Sequence, residues 1–126
     1  MPAHKTDVKI TDLVEKMNLK NLTPDIDLTD KVITVPDINR PALQLTGYFD
    51  HFDSERVQII GYVEYTYLEI MEEVLKKEVY KELLSYNVPC IIYTTEILPE
   101  EEMLRLANES GTPIFSTKQR TSAFQA

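Results

Sequence analysis

The chain has 126 residues, a formal net charge of −8, one cysteine and no tryptophan. That length suits one domain spanning 1–126, able to bury about two thirds of the surface its unfolded chain exposes. A lone cysteine excludes an internal disulfide scaffold, no apolar stretch approaches the roughly 20 residues of a membrane helix, and an acidic chain without a basic cluster excludes binding to a nucleic-acid backbone.

Residues 1–7 lack the apolar core of a signal peptide, so the expected compartment is the cytoplasm. Thr11 is placed to cap a helix over 12–18, with Asp12 at its positive end and Leu13, Val14 and Met17 on one stripe. The polar stretch 21–30, with Pro24, reads as a loop. Val32, Ile33, Thr34 and Val35 form a β-branched run, a strand stopped by Pro36. Pro41 suits the first turn of a short helix, with Gly47 beyond its end.

A second strand is expected over 57–60, before Gly61. Apolar residues at Leu68, Met71, Leu75, Val79 and Leu83 predict helix over 65–86, in one piece or two. Pro89 marks the start of an apolar strand over 90–94. Pro99 opens another helix, with Glu100, Glu101 and Glu102 in its first turn and Gly111 at its end. A last strand covers 113–116. Strand, helix, strand, helix, strand in the second half implies crossovers onto parallel strands. The expected fold is α/β, with helices packed on a small, mostly parallel sheet.

Most catalytic signatures are missing. The three glycines, Gly47, Gly61 and Gly111, are too far apart to cradle a phosphate, and no GxGxxG, HExxH, CxxC or GxSxG occurs. His4 and His51 lie far apart and suggest no metal site. Cys90, beside Ile91 and Ile92, reads as a small core residue. Tyr62, Tyr65 and Tyr67 read as amphipathic packing, because no basic groove accompanies them as a base-stacking platform requires.

Chemistry-bearing groups do gather between residues 37 and 52. Arg40, Tyr48, Asp50 and His51 are candidate ligand-binding residues, with the guanidinium suited to a phosphate or carboxylate. The competing reading sends Leu43, Leu45, Phe49 and Phe52 into the core and pairs Arg40 with Asp37 or Asp50. Ligands of parallel α/β sheets bind outside the carboxyl ends of strands, here near Thr94, Thr95, Ser116 and Thr117. No catalytic or metal residue is assigned.

Residues 36–68 also carry a resemblance. Asp37, Arg40, Pro41, Leu45, Thr46, Gly47, Tyr48, Phe49, Phe52, Arg56, Gln58, Gly61 and Glu64 are similar to the pattern of the N-terminal domain of bacterial HPr kinase/phosphorylase. Pro89-Cys90-Ile91-Ile92 and Gly111-Thr112-Pro113-Ile114 resemble two of its strands, so the likeness covers roughly 8–124. Ala42, Gln44, His51 and Pro36 depart from the family's usual residues.

The resemblance implies an α/β module similar to the N-terminal domains of Mur ligases. The parent it implies is a bifunctional, homohexameric enzyme of carbon catabolite control. That enzyme phosphorylates and dephosphorylates a seryl residue of the phosphocarrier HPr. ATP and Mg belong to its C-terminal domain, whose phosphate loop is not in this sequence. The chain itself is then expected to be a non-catalytic regulatory or assembly domain needing no cofactor. The alternative is a module binding a nucleotide or a sugar phosphate.

Overall fold

A computed structural model describes residues 8–35, 37–95 and 97–120. His4 and the other residues of the 1–7 segment lie outside them. In chain order the elements are β1 (Val8–Lys9), α1 (Ile10–Lys16), β2 (Lys20–Asn21), β3 (Val32–Ile33), β4 (Ile38–Asn39), α2 (Ala42–Leu45), β5 (Val57–Ile60), α3 (Tyr62–Ile70), α4 (Glu73–Ser85), β6 (Ile91–Tyr93), α5 (Glu101–Ser110) and β7 (Ile114–Ser116).

Five strands form one sheet in the order β2-β7-β6-β5-β4, and β1 pairs separately with β3. The steps β4 to β5, β5 to β6 and β6 to β7 are all parallel, whereas β2 runs antiparallel to β7. The sheet is therefore mixed, and the mostly parallel expectation holds for its four central-to-edge strands. Each parallel step moves one strand over in the same direction. Right-handed crossovers then put every connecting helix on one face.

The two cores show this layering. One joins Leu45, Leu68, Leu83, Met103 and Leu106 of the helices to Ile60, Ile91, Tyr93 and Ile114 of the strands. The other lies across the sheet, where Ile10, Leu19 and Ile33 meet Val57, Ile59, Cys90, Ile92 and Phe115. Successive strand residues such as Ile91 and Ile92 serve opposite layers because side chains alternate along a strand.

Several expectations need correction. Helix α1 begins at Ile10, and Lys9 occupies its cap position without a side-chain bond. Thr11 is not the cap, because β1 runs straight into the helix and Ile10, fully buried, anchors it earlier. Asn21 of the expected loop belongs to β2, and Ile38–Asn39 form an unforeseen edge strand; two-residue strands leave no periodicity to read. The expected strand over 32–35 shrinks to Val32–Ile33 and sits outside the main sheet.

The helix expected over 65–86 is two. It starts at Tyr62, and the extended residues Met71 and Glu72 separate α3 from α4. No proline or glycine marks that break. Leu75 falls on the exposed side of α4. Helix α5 starts two residues after Pro99, with Glu100 at the cap position and Glu101 and Glu102 in the first turn. Gly111 closes it in the left-handed region, as its position after the helix implies.

Candidate functional site

The segment from β4 to the start of α3 holds most residues of the quoted pattern, and the structure uses them on one another. Arg40 leaves β4 and donates from Nε and Nη2 to Oε1 of Glu64, at 3.3 and 2.9 Å. The same Glu64 oxygen accepts the Gly61 backbone N–H at 2.7 Å. Glu64 stands three residues after the cap position of α3, where a carboxylate reaches back to an orphan amide. Arg40 thus pairs with neither Asp37 nor Asp50. The nearest acid in space is set by the parallel pairing of β4 with β5 rather than by sequence distance.

Gln58, fully buried on β5, is equally committed. Its Nε2 donates to the carbonyls of Asp53 and Arg56, and its Oε1 accepts from Asn39 Nδ2 at 2.7 Å. Phe49 stacks on Tyr86 at a centroid distance of 5.3 Å, and Phe52 meets both rings edge-on. Leu45 and Phe49 enter the core as expected, Phe52 packs on its edge, and Leu43 instead points outward at 62% exposure. The four-residue α2 has only one inward face.

Tyr48, Asp50 and His51 are all exposed in the turn after α2. His51 adopts a φ of 61° and Gly47 a φ of 96°. Arg40 directs its side-chain hydrogen bonds to Glu64 and joins none of these three. Tyr62 and Tyr67 are exposed and Tyr65 half-buried, so the expected tyrosine packing does not form. Cys90 is fully buried, and burial pushes its thiol up to about 12.

A second constellation lies between α4 and the start of α5. Lys76 Nζ donates to Glu100 at 2.7 Å and meets Glu73 at 3.1 Å, with its side chain 5% exposed. Burial works against the ammonium, but the hydrogen bonds and charges of Glu100 and Glu73 outweigh it and hold its pKa above the ordinary value. Tyr80 Oη also donates to Glu100.

Of the expected strand ends, Ser116 and Thr117 border a cleft, whereas Thr94 and Thr95 do not line it. It measures about 560 Å³ and is lined by Met17, Asn18, Leu19 and Lys20, by Leu98, and by Ser116, Thr117, Lys118 and Gln119. Its walls come from the end of α1, which packs in the core across the sheet, and from Leu98 of the connection to α5. Thr95, at a φ of 59°, donates its N–H to the Gln119 carbonyl at 3.0 Å and ties the β6 end to the cleft wall. Sequence reading located Ser116 and Thr117 but missed Asn18, Lys20 and Gln119. Those residues lie about a hundred positions away or beyond the last strand, and no local pattern links them. Glu64 entered the sequence reading only through the family pattern, because the helix was expected from 65 and its start at Tyr62 is what puts Glu64 at capping distance from Gly61.

Among the described residues no three of His, Cys, Asp or Glu gather to hold a metal. The sequence carries no phosphate loop, and no phosphoryl-transfer step is assigned to the described residues. No helix of the described residues is long and apolar enough to cross a membrane.

A family model described as HPr Serine kinase N terminus matches residues 8–126. The HPr kinase/phosphorylase of Lachnoclostridium phytofermentans is 51% identical over 119 residues, covering 94% of this chain and 38% of that protein. That of Caldicellulosiruptor bescii is 37% identical over 112 residues, covering 89% and 36%. The chain therefore spans under two fifths of the length of these relatives. Among solved structures, one of the CBS and DRTGG domains of the regulatory region of Clostridium perfringens pyrophosphatase, complexed with the activator diadenosine tetraphosphate, is similar. Its TM-score is 0.63 at 16% identity, over 92% of this chain and 44% of that chain, which is a likeness of fold.

Proposed function

The chain belongs to the family of HPr serine kinase N-terminal domains, and on that footing we propose that it is a non-catalytic regulatory or assembly domain of an HPr serine kinase/phosphorylase. One observation carries the reading. The polar residues that mark the family pattern, Arg40, Gln58 and Glu64, are spent on holding β4, β5 and α3 together, not aimed into a cavity. A fold resembling part of a regulatory region supports the same role.

In this reading ATP and Mg are bound by a separate C-terminal domain. The parent enzyme is a cytoplasmic homohexamer that adds phosphate to a seryl residue of HPr and removes it in carbon catabolite control. The test is direct. Purified chain, incubated with labelled ATP, Mg and HPr, transfers no phosphate to HPr. Transfer above a no-protein control sinks the proposal.

The cleft favours a second reading, a module that binds a small phosphorylated molecule. About 560 Å³ lies within the size range of small-molecule sites, and Lys20 and Lys118 bring positive charge to it in an acidic chain. Similarity to Mur ligase N-terminal domains, as the family resemblance implies, points to nucleotides. Arg40, Tyr48, Asp50 and His51 are the competing location for the same ligand class. A thermal-shift series with uridine and adenosine nucleotides and hexose phosphates tests it. A true ligand at about a hundred times its Kd adds about 2.7 kcal/mol. Loss of the shift in Lys20→Ala assigns the cleft, and loss in His51→Ala assigns the 40–51 segment. No shift with any of these ligands rejects the reading.

A further inference from the structure

Helix α3 is turned the wrong way round for a free surface. The residues it buries are Glu64 and Leu68, while Tyr62, Val63 and Ile70 stand 66%, 64% and 82% exposed. A helix on a globular surface ordinarily faces its apolar stripe inward. Val63, Tyr67 and Ile70 fall at i, i+4 and i+7, on one side of the helix. Val74 and Leu75, both exposed, add apolar surface at the first turn of α4. Beside Tyr67, Met71 and Leu75 a groove of about 220 Å³ opens against α2, with Glu78 and Glu82 also lining it. Contiguous exposed apolar surface of this kind marks an interaction site.

The charge around it identifies the occupant. Glu69, Glu72, Glu78 and Glu82 are exposed, and no described residue forms an ion pair with any of them. No cation of α4 pairs with these carboxylates. Lys76 is buried between Glu73 and Glu100, Lys77 reaches Glu102 on α5, and Lys81 lines a different groove, shared with α5. The apolar stripe is thus bordered by unneutralised carboxylates.

We propose that α3 and the start of α4 form a docking surface for a protein segment of basic amphipathic character. Its apolar side chains enter the groove beside Tyr67 and Leu75, and its Lys or Arg residues meet Glu78 and Glu82. A second copy of this chain fits poorly, because a two-fold contact sets the same patch against itself and brings these carboxylates together in a chain already at −8. An anionic lipid surface is repelled for the same reason.

The test titrates the isotope-labelled 126-residue chain with a synthetic helix carrying a leucine stripe flanked by lysines. A matched peptide with glutamates in place of the lysines is the control. The basic peptide is expected to shift amide signals across 62–82, and the acidic one to bind about tenfold more weakly or worse, a difference near 1.4 kcal/mol. Ile70→Asp, and the Glu78→Lys, Glu82→Lys pair, should each weaken binding about tenfold. Glu15→Lys, on α1 across the sheet, should change it less than about twofold. All four positions are exposed, and the amide spectrum checks that each variant folds. Three results overturn the proposal: no saturable binding up to about 1 mM, the weak end of specific association; equal weakening by Glu15→Lys; or a self-association of the chain that Ile70→Asp abolishes, which makes a second copy the occupant.

Discussion

Arg40 and Glu64, 24 positions apart, are joined by two hydrogen bonds to a single carboxylate oxygen. That oxygen also accepts the first free amide of α3, from Gly61. The arrangement couples an edge strand, the neighbouring strand and a helix start through one atom. Glu64 is 2% exposed at its side chain and Arg40 is 40% exposed, so the two ends of the pair respond differently to removal.

Glu64→Ala leaves the Gly61 amide unsatisfied and is expected to cost about 1–2 kcal/mol in chemical denaturation. Arg40→Ala leaves a buried carboxylate with the Gly61 amide as its remaining donor. It is expected to cost about 1–2 kcal/mol, above the roughly 0–1 of an exposed pair. Glu64→Gln, which keeps an acceptor for Gly61, should cost less than Glu64→Ala. If all three variants fall within about 0.5 kcal/mol of the parent, the pair does not hold this unit together.

Lys76 and Glu100 should show the opposite asymmetry. The lysine side chain is 5% exposed, whereas Glu73 and Glu100 are 84% and 42% exposed. Lys76→Met frees two carboxylates that water already reaches, so its effect should lie within about 1 kcal/mol of zero. Glu100→Ala leaves the ammonium buried with Glu73 alone and Tyr80 without its acceptor, and should cost about 1–3 kcal/mol. Comparing the two unfolding midpoints decides it. A larger loss for Lys76→Met refutes the burial argument.

Alkaline pH should destabilise the protein. Burial pushes the Cys90 thiol up to about 12 from an ordinary value near 9. Burial, then the charges of Tyr80 and Glu100, raises the Tyr93 phenol, and burial with Glu100 raises that of Tyr80. The folded state keeps protons that the unfolded state releases, so this stability is complete below about pH 9 and declines above it. Each group adds a slope of up to about 1.4 kcal/mol per pH unit. Cys90→Ala and Tyr93→Phe should each flatten the fall in unfolding free energy between about pH 9 and 11. A thiol reagent at about pH 8 should label Cys90 only after denaturant is added, and prompt labelling of the native chain contradicts the burial.

Gly47→Ala isolates a backbone effect. Gly47 has a φ of 96°, and an added Cβ meets no heavy atom within 4 Å. The expected loss of about 1–2 kcal/mol therefore comes from conformation and not from a clash. A neutral substitution, read by thermal unfolding, shows that the turn relaxes.

Sequence alone determined those elements whose signals are local. Val57–Ile60, Ile91–Tyr93 and Ile114–Ser116 declared themselves as short apolar runs, and α5 declared itself by acids at its start and Gly111 at its end. The pattern around Gly47, Tyr48 and Phe49 carried the family. Tertiary structure decided the rest, because each remaining feature depends on a partner distant in the chain. Lys20 becomes a strand and a cleft wall only by lying against Ser116. Arg40 finds Glu64 because parallel pairing of β4 and β5 brings them together. The outward face of α3 was the least legible of all. Tyr62, Val63 and Ile70 look like core residues by composition, and only the packing of Leu68 and the buried Glu64 fixes which side of the helix turns inward.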